Sequence, residues 1–128
     1  MKAAVIITGE PHNRLEIQDV SVPQPGPQDV LVAVKAVGLN RVDLLLRATH
    51  LRNVGGAPTA PVAGLEMAGE VSFVGSEVAG YKIGDRVMAM AAQAYAEVAR
   101  ADHRILMPVP AGLSWVEAAA LPVALMTA

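Results

Sequence analysis

The side chains able to do chemistry in this chain are few, and most are scattered. His12, His50 and His103 lie far apart, and none has another histidine at helical i, i+4 spacing, so they read as surface histidines rather than metal ligands. The chain has no cysteine, which excludes disulfides, thiolate nucleophiles and cysteine-based zinc sites. No G-x-S-x-G, H-E-x-x-H, phosphate-binding P-loop or G-x-G-x-x-G pattern occurs. The segment Gly80–Gly84 is no phosphate loop either, because no helical pattern follows it. What remains is a group of amides and acids. Asn40, Arg41 and Asp43 follow a strand-like run, and Glu66, Tyr95 and Glu97 lie further on. An amide can donate or accept a hydrogen bond, and a carboxylate can orient it. Asn40 followed three residues later by Asp43 also fits a weaker form of the capping box at a helix start, which is the structural reading of the same residues.

Composition narrows the classes of function. The chain has 128 residues, the size of one domain or part of one, with 53% apolar and 17% charged residues. That balance excludes a disordered tail. Ten basic and twelve acidic residues give a net charge of −2, which makes no electrostatic footprint for nucleic acid or an anionic membrane. The five-residue apolar run near the N-terminus is too short for a signal peptide, and nothing approaches the ~20 apolar residues of a membrane helix. A soluble, cytoplasmic protein is expected.

The elements that must position these residues are short. Ala3–Thr8 and the alternating Leu15–Gln18 predict a hairpin whose second strand is half-buried. Pro23, Pro25 and Pro27 mark a rigid connector. Val30–Val37 has seven apolar residues in eight, which predicts a strand covered on both faces. A two-turn helix follows from Asn40 to Arg47, then a mobile loop over 53–61. Gly64 and Gly69 in strand-like surroundings predict a bulge or a close backbone approach. Val71–Val74, Arg86–Met90, Tyr95–Ala99 and Ile105–Met107 are the later strands, with turns over 80–85. Ser114-Trp115-Val116-Glu117 is a capping box opening a helix through Leu121, and Pro122 suits the first position of a second. The apolar ending Val123–Ala128 lacks a stop signal, which predicts the front part of a longer protein. Many short strands with few helices predict a mainly β, partly open barrel.

An ordered set of pieces then becomes informative: Gly38-Leu39-Asn40-Arg41-Val42-Asp43, Pro61 through Gly69, Val74-Gly75, Gly84-Asp85-Arg86-Val87, Tyr95-Ala96-Glu97, Leu121-Pro122 and Thr127-Ala128. Through the full length, the chain resembles the N-terminal GroES-like catalytic domain of medium-chain dehydrogenase/reductases, most closely the zinc-independent quinone oxidoreductases related to zeta-crystallin. The resemblance implies residues 1–121 as the GroES-like catalytic domain. Residues 122–128 would begin the connection to a nucleotide-binding Rossmann domain outside this sequence. In such proteins the chain returns to the barrel after the Rossmann part, so this barrel would lack its closing strands. Exposed sheet edges and a homo-oligomer are expected.

The resemblance also implies roles. Asn40 and Asp43 would be catalytic residues near nicotinamide and substrate, Asn40 donating its amide N–H and Asp43 orienting that contact. Arg41 would meet the cofactor pyrophosphate and Thr127 the nicotinamide end of NADPH. Glu66 matches an acid near the cleft, whereas Tyr95 and Glu97 read as barrel structure. Zinc alcohol dehydrogenases of the superfamily carry Cys where Asn40 stands and His where Leu65 stands. Leu65 has no donor atom and an amide is a poor zinc ligand, so no metal is expected. Without a Lewis acid, a quinone or enone is the easier hydride acceptor, because conjugation spreads the incoming charge. Close relatives have tyrosines at the positions of Leu45 and Leu51, so this pocket should be more apolar than theirs.

The activity implied is reduction of a small-molecule quinone or other conjugated carbonyl by NADPH. An enoyl reductase acting on acyl thioesters, or a GroES-like binding barrel without catalysis, are the alternatives.

Overall fold

The computed structural model describes residues 1–9, 11–48 and 62–128. Strands β1 (Lys2–Ile7) and β2 (Arg14–Asp19) form the expected antiparallel hairpin, in register from Lys2 opposite Asp19 to Ile7 opposite Arg14. A five-stranded antiparallel sheet holds β3 (Asp29–Val37), β4 (Glu66–Val74), β5 (Arg86–Met90), β6 (Val98–Asp102) and β7 (Met107–Pro108), in the order β6-β3-β4-β5-β7. Single bridges from Ala3 to Ala96 and from Val5 to Val62 tie β1 to the segments that lead into β6 and β4. The sheets do not close into a ring, and the fold is mainly β with short helices, as expected.

The main core is made of small and β-branched side chains. Val30, Val32, Met67, Val71, Val87 and Leu106 pack with alanines 89, 91, 94, 99 and 101. Each fully buried valine contributes ~1.5–3 kcal/mol of transfer free energy. The opposite face of β4 and β5 offers Ala68 and Met88 to α2 (Trp115–Ala119), which buries Ala118 and Ala119 against them. Helix α3 (Pro122–Thr127) follows, with Pro122 at its first position as expected. Among the described residues no helix is long and apolar enough to cross a membrane.

Several expectations need correction. β3 is not covered on both faces: Val30 and Val32 are buried, but Lys35 and Val37 are exposed. The strand lies in one antiparallel sheet whose second face is only partly covered, unlike a strand sandwiched by crossover helices. In β2 the alternation is real, but Leu15 and Ile17 lie on the exposed side, at 49% and 71%. β2 pairs only with β1, and these two side chains stay open to solvent.

The strand expected over Tyr95–Ala99 begins only at Val98. Ala96 pairs singly with β1, and the segment before it turns through Gln93 at φ +63°. The strand expected over Ile105–Met107 is a 3-10 turn, His103–Ile105, followed by the two-residue β7. Asp102 starts that turn by accepting the Arg104 N–H, which diverts the chain from the ladder. Helix α2 ends at Ala119 rather than Leu121, because the Ala120 and Leu121 N–H groups close tighter turns onto Glu117 and Ala118. His50, Leu51, the side chain of Leu45 and the 53–61 loop lie outside the described residues.

Candidate functional site

Four segments distant in sequence meet where β3 ends. After β3 the chain passes through Gly38 and Leu39 into α1 (Arg41–Ala48), the short helix foreseen there. Asp43 performs its half of a capping box, with Oδ2 accepting the Asn40 N–H at 2.8 Å. Asn40 does not perform the reciprocal half. Its carbonyl receives the Asp43 N–H, while its side-chain Nδ2 donates to Glu66 Oε1 at 2.8 Å. The expected side-chain cap at Asn40 is thus replaced by a long-range bond. A buried carboxylate is the stronger acceptor partner for this amide than a backbone N–H is a donor.

Glu66, the first residue of β4, is only 3% exposed. Its second oxygen, Oε2, accepts the Val123 backbone N–H at 2.8 Å, in the first turn of α3. Tyr95 completes the group. Its hydroxyl lies 2.6 Å from Asp43 Oδ2 and 3.0 Å from the Gly38 carbonyl. Burial, and then the hydrogen bond to Asp43, push the Tyr95 phenol well above its ordinary value, so it remains a proton donor to that carboxylate. The other Asp43 oxygen, Oδ1, is buried with no hydrogen-bond partner among the described residues.

Two glycines make the assembly possible. A Cβ at Gly38 would overlap the Glu66 carboxylate. Gly64 has φ +106°, and a Cβ there would lie 2.5 Å from the Tyr95 ring. The close approach expected at Gly64 is therefore the seat of Tyr95. The one expected at Gly69 is a packing of β4 on the Ala33 carbonyl, beside a register shift between Val34 and Ala36.

The remaining singled-out residues are placed as follows. Arg41 is exposed at the start of α1, with no ion pair among the described residues. Thr127 is exposed in the last turn of α3, where its hydroxyl donates to the Val123 carbonyl at 2.7 Å. Neither is hydrogen-bonded to Asn40 or Asp43. Glu97 is structural: its carboxylate accepts the Lys2 N–H at 2.7 Å, and its backbone joins Lys2 and Val34. His103 Nδ1 lies 2.9 Å from the Gln28 carbonyl, in a surface turn. Tyr95 is the functional candidate that sequence reading assigned to mere structure. The signal available was its rarity, since the chain has only two tyrosines.

The donor set does not fit a zinc ion. Both Glu66 oxygens and Asp43 Oδ2 already accept hydrogen bonds, and Leu65 offers no donor. Among the described residues no cluster of three or more histidines and acids could hold a metal.

A family model described as "Alcohol dehydrogenase GroES-like domain" matches residues 26–121. The chain belongs to this family. The resemblance to medium-chain dehydrogenase/reductases, on the quinone oxidoreductase side, stands with it. The mouse synaptic vesicle membrane protein VAT-1 homolog-like is 36% identical over 129 residues, which span all of this chain and 30% of that protein. The trans-enoyl reductase tazE of Aspergillus terreus is 35% identical over 95% of this chain and 44% of its own length. The crystal structure of Escherichia coli quinone oxidoreductase complexed with NADPH superposes with a TM-score of 0.72 at 32% identity, over 84% of this chain and 32% of that one. The chain therefore spans less than half the length of these relatives.

Proposed function

We propose that this chain is the catalytic-domain portion of an NAD(P)H-dependent oxidoreductase that reduces quinones or other conjugated carbonyls without zinc. The observation that carries the reading is the placement of Asn40. In this family's fold, at the turn between β3 and α1, its amide is withdrawn from capping and held by the buried Glu66.

NADPH, where bound, supplies a hydride to the electron-poor carbon of the substrate. The residues of this chain then have to stabilise charge that develops on the conjugated oxygen. Asn40 has one amide N–H left after Glu66 takes the other, and that N–H is a donor for such an oxygen. Asp43, fixed by Tyr95 and by the Asn40 backbone, holds the turn that aims it. Arg41 is exposed, has no ion pair among the described residues and would pair with a pyrophosphate, and Thr127 sits on the helix that Glu66 anchors. A conjugated acceptor suits this equipment, since hydrogen bonds can stabilise a delocalised charge where a simple ketone would need a Lewis acid. These 128 residues carry no dinucleotide-binding fingerprint, so by themselves they are expected to bind NADPH no more tightly than millimolar.

The test is NADPH oxidation by 1,4-benzoquinone in the intact protein, before and after exhaustive chelation. Turnover unchanged by chelation, and reduced about 10²-fold by Asn40→Ala, is the expected result. Loss of turnover on chelation with recovery on added zinc would overturn the reading. The similarity to a trans-enoyl reductase supports a second reading, reduction of an α,β-unsaturated acyl thioester. A crotonyl thioester reduced with a kcat/KM well above that of benzoquinone would select it.

A further inference from the structure

Glu66 is an almost fully buried carboxylate with no cation beside it among the described residues. Its two oxygens are occupied by neutral donors from either side in sequence: Asn40 Nδ2, 26 residues before it, and the Val123 N–H, 57 residues after it. Gly38 is the residue whose missing side chain makes room for it. Burying a carboxylate this way is costly unless both oxygens are satisfied, so the two hydrogen bonds depend on one another.

We propose that Glu66 is a positioning residue that fixes which way the Asn40 amide faces and couples that orientation to the first turn of α3. The proposal rests on the reading of Asn40 as the group that meets the reactants. The two ends of an asparagine amide are almost alike in shape, and only their hydrogen bonds decide which end faces where. Glu66 meets both Asn40 and Val123 as an acceptor. It therefore holds Nδ2 and turns Oδ1 outward, leaving Oδ1 and the second N–H as the pair offered to a ligand. Among the described residues neither has a partner. Because the other Glu66 oxygen grips Val123, a shift of α3 reaches Asn40 through a single rigid group. That helix also carries Thr127.

Glu66→Gln separates this role from mere packing. A glutamine has one oxygen and one NH2, so with its side chain in the same place only one of the two positions that face Asn40 and Val123 still accepts. If its oxygen stays with Val123, its NH2 faces Asn40, whose amide must flip to present Oδ1. If its oxygen stays with Asn40, two donors oppose each other at Val123 and the start of α3 opens.

The experiment is NMR of the side-chain amide of Asn40 and the backbone amide of Val123 in the intact protein. In the wild type, one Asn40 side-chain proton is expected downfield and exchanging with water about tenfold more slowly than its geminal partner. In Glu66→Gln, either that protection or the protection of the Val123 amide is lost, and NADPH-dependent quinone turnover falls with it. Equal exchange of the two Asn40 protons in the wild type overturns the proposal, whether or not the variant folds. An unchanged pattern at both amides in a folded Glu66→Gln protein overturns it as well. Benzoquinone turnover unaffected by Asn40→Ala, with the wild-type protection present, would instead remove Asn40 from the chemistry and leave the Glu66 coupling standing.

Discussion

Two polar clusters in this molecule are built on opposite plans. At the start of α2, Ser114 and Glu117 cap one another three residues apart: the Glu117 N–H donates to Ser114 Oγ at 3.2 Å, and the Ser114 N–H to Glu117 Oε2 at 2.8 Å. Everything there is local and exposed. At the end of β3, the Asn40, Asp43, Glu66 and Tyr95 cluster joins residues separated by 26 and 52 positions around a nearly buried carboxylate. The first cluster starts a helix and faces water, which can replace any bond it loses. The second exists only once β3, β4 and the segment before β6 are assembled, and each of its bonds shields the next. Removing one member should therefore cost far more in the second cluster than in the first.

The largest effect is expected at Gly38. Gly38→Ala puts a methyl group where the Glu66 carboxylate lies, and that carboxylate has both oxygens committed. Either the acid moves and leaves two half-buried donors unpaired, or the β3–α1 junction shifts. A loss of about 3 kcal/mol in chemical denaturation is expected, with loss of Asn40-dependent turnover. If Gly38→Ala were as stable as the wild type, the buried cluster would be as forgiving as the exposed one, and the comparison would fail.

A smaller effect with a distinct pH signature is expected at Tyr95. Tyr95→Phe keeps the ring against Gly64 but removes the donor to Asp43 Oδ2, a carboxylate whose other oxygen has no partner among the described residues. About 2 kcal/mol is expected for a hydrogen bond to a charged acceptor. The wild-type phenol has its proton affinity raised in the folded state by burial and by Asp43. The folded protein then binds more protons than the unfolded chain above about pH 10, the ordinary tyrosine value. Stability from this group is complete below that pH and is lost as pH rises beyond it. Tyr95→Phe should make the alkaline limb of a stability–pH curve shallower. Tyr81, which burial also raises, leaves a residual slope.

The same contrast governs what could be read from the sequence. The Ser114 cap, Pro122 at the first position of α3, the β1–β2 hairpin and β5 were legible because their causes lie within a few residues. The family and the open, mainly β fold were legible because an ordered set of short motifs spans the whole chain. Asn40 and Asp43 could be singled out, but the sequence offered capping as their shared explanation. The structure divides them: Asp43 caps, whereas Asn40 reaches across to Glu66. Tyr95 was taken for barrel framework, because nothing near it in sequence indicates that Gly64 clears a seat for its ring and that its hydroxyl ends on Asp43. The exposed apolar side of β2 was misread for a related reason. Alternation reveals that a strand has two faces, but which face another layer covers is decided by tertiary contacts.

The smallest effect belongs to the local cluster, and it serves as the control for the other two. Ser114→Ala removes the acceptor for the Glu117 N–H and the partner hydroxyl that helps to hold the Glu117 carboxylate. The loss of an exposed N-cap is ~1 kcal/mol, because water reaches the freed N–H at once. These bonds to Ser114 are also what holds the Glu117 carboxyl below its ordinary value. That share of stability is therefore present above about pH 4 and lost as pH falls below it. In Ser114→Ala the acid limb should flatten slightly, while the Asn40 amide signals and the quinone turnover stay at wild-type values. If Ser114→Ala instead disturbed Asn40 as strongly as Gly38→Ala, the two clusters would be one cooperative unit. Helix α2, packed on Ala68 and Met88, would then carry the coupling between them.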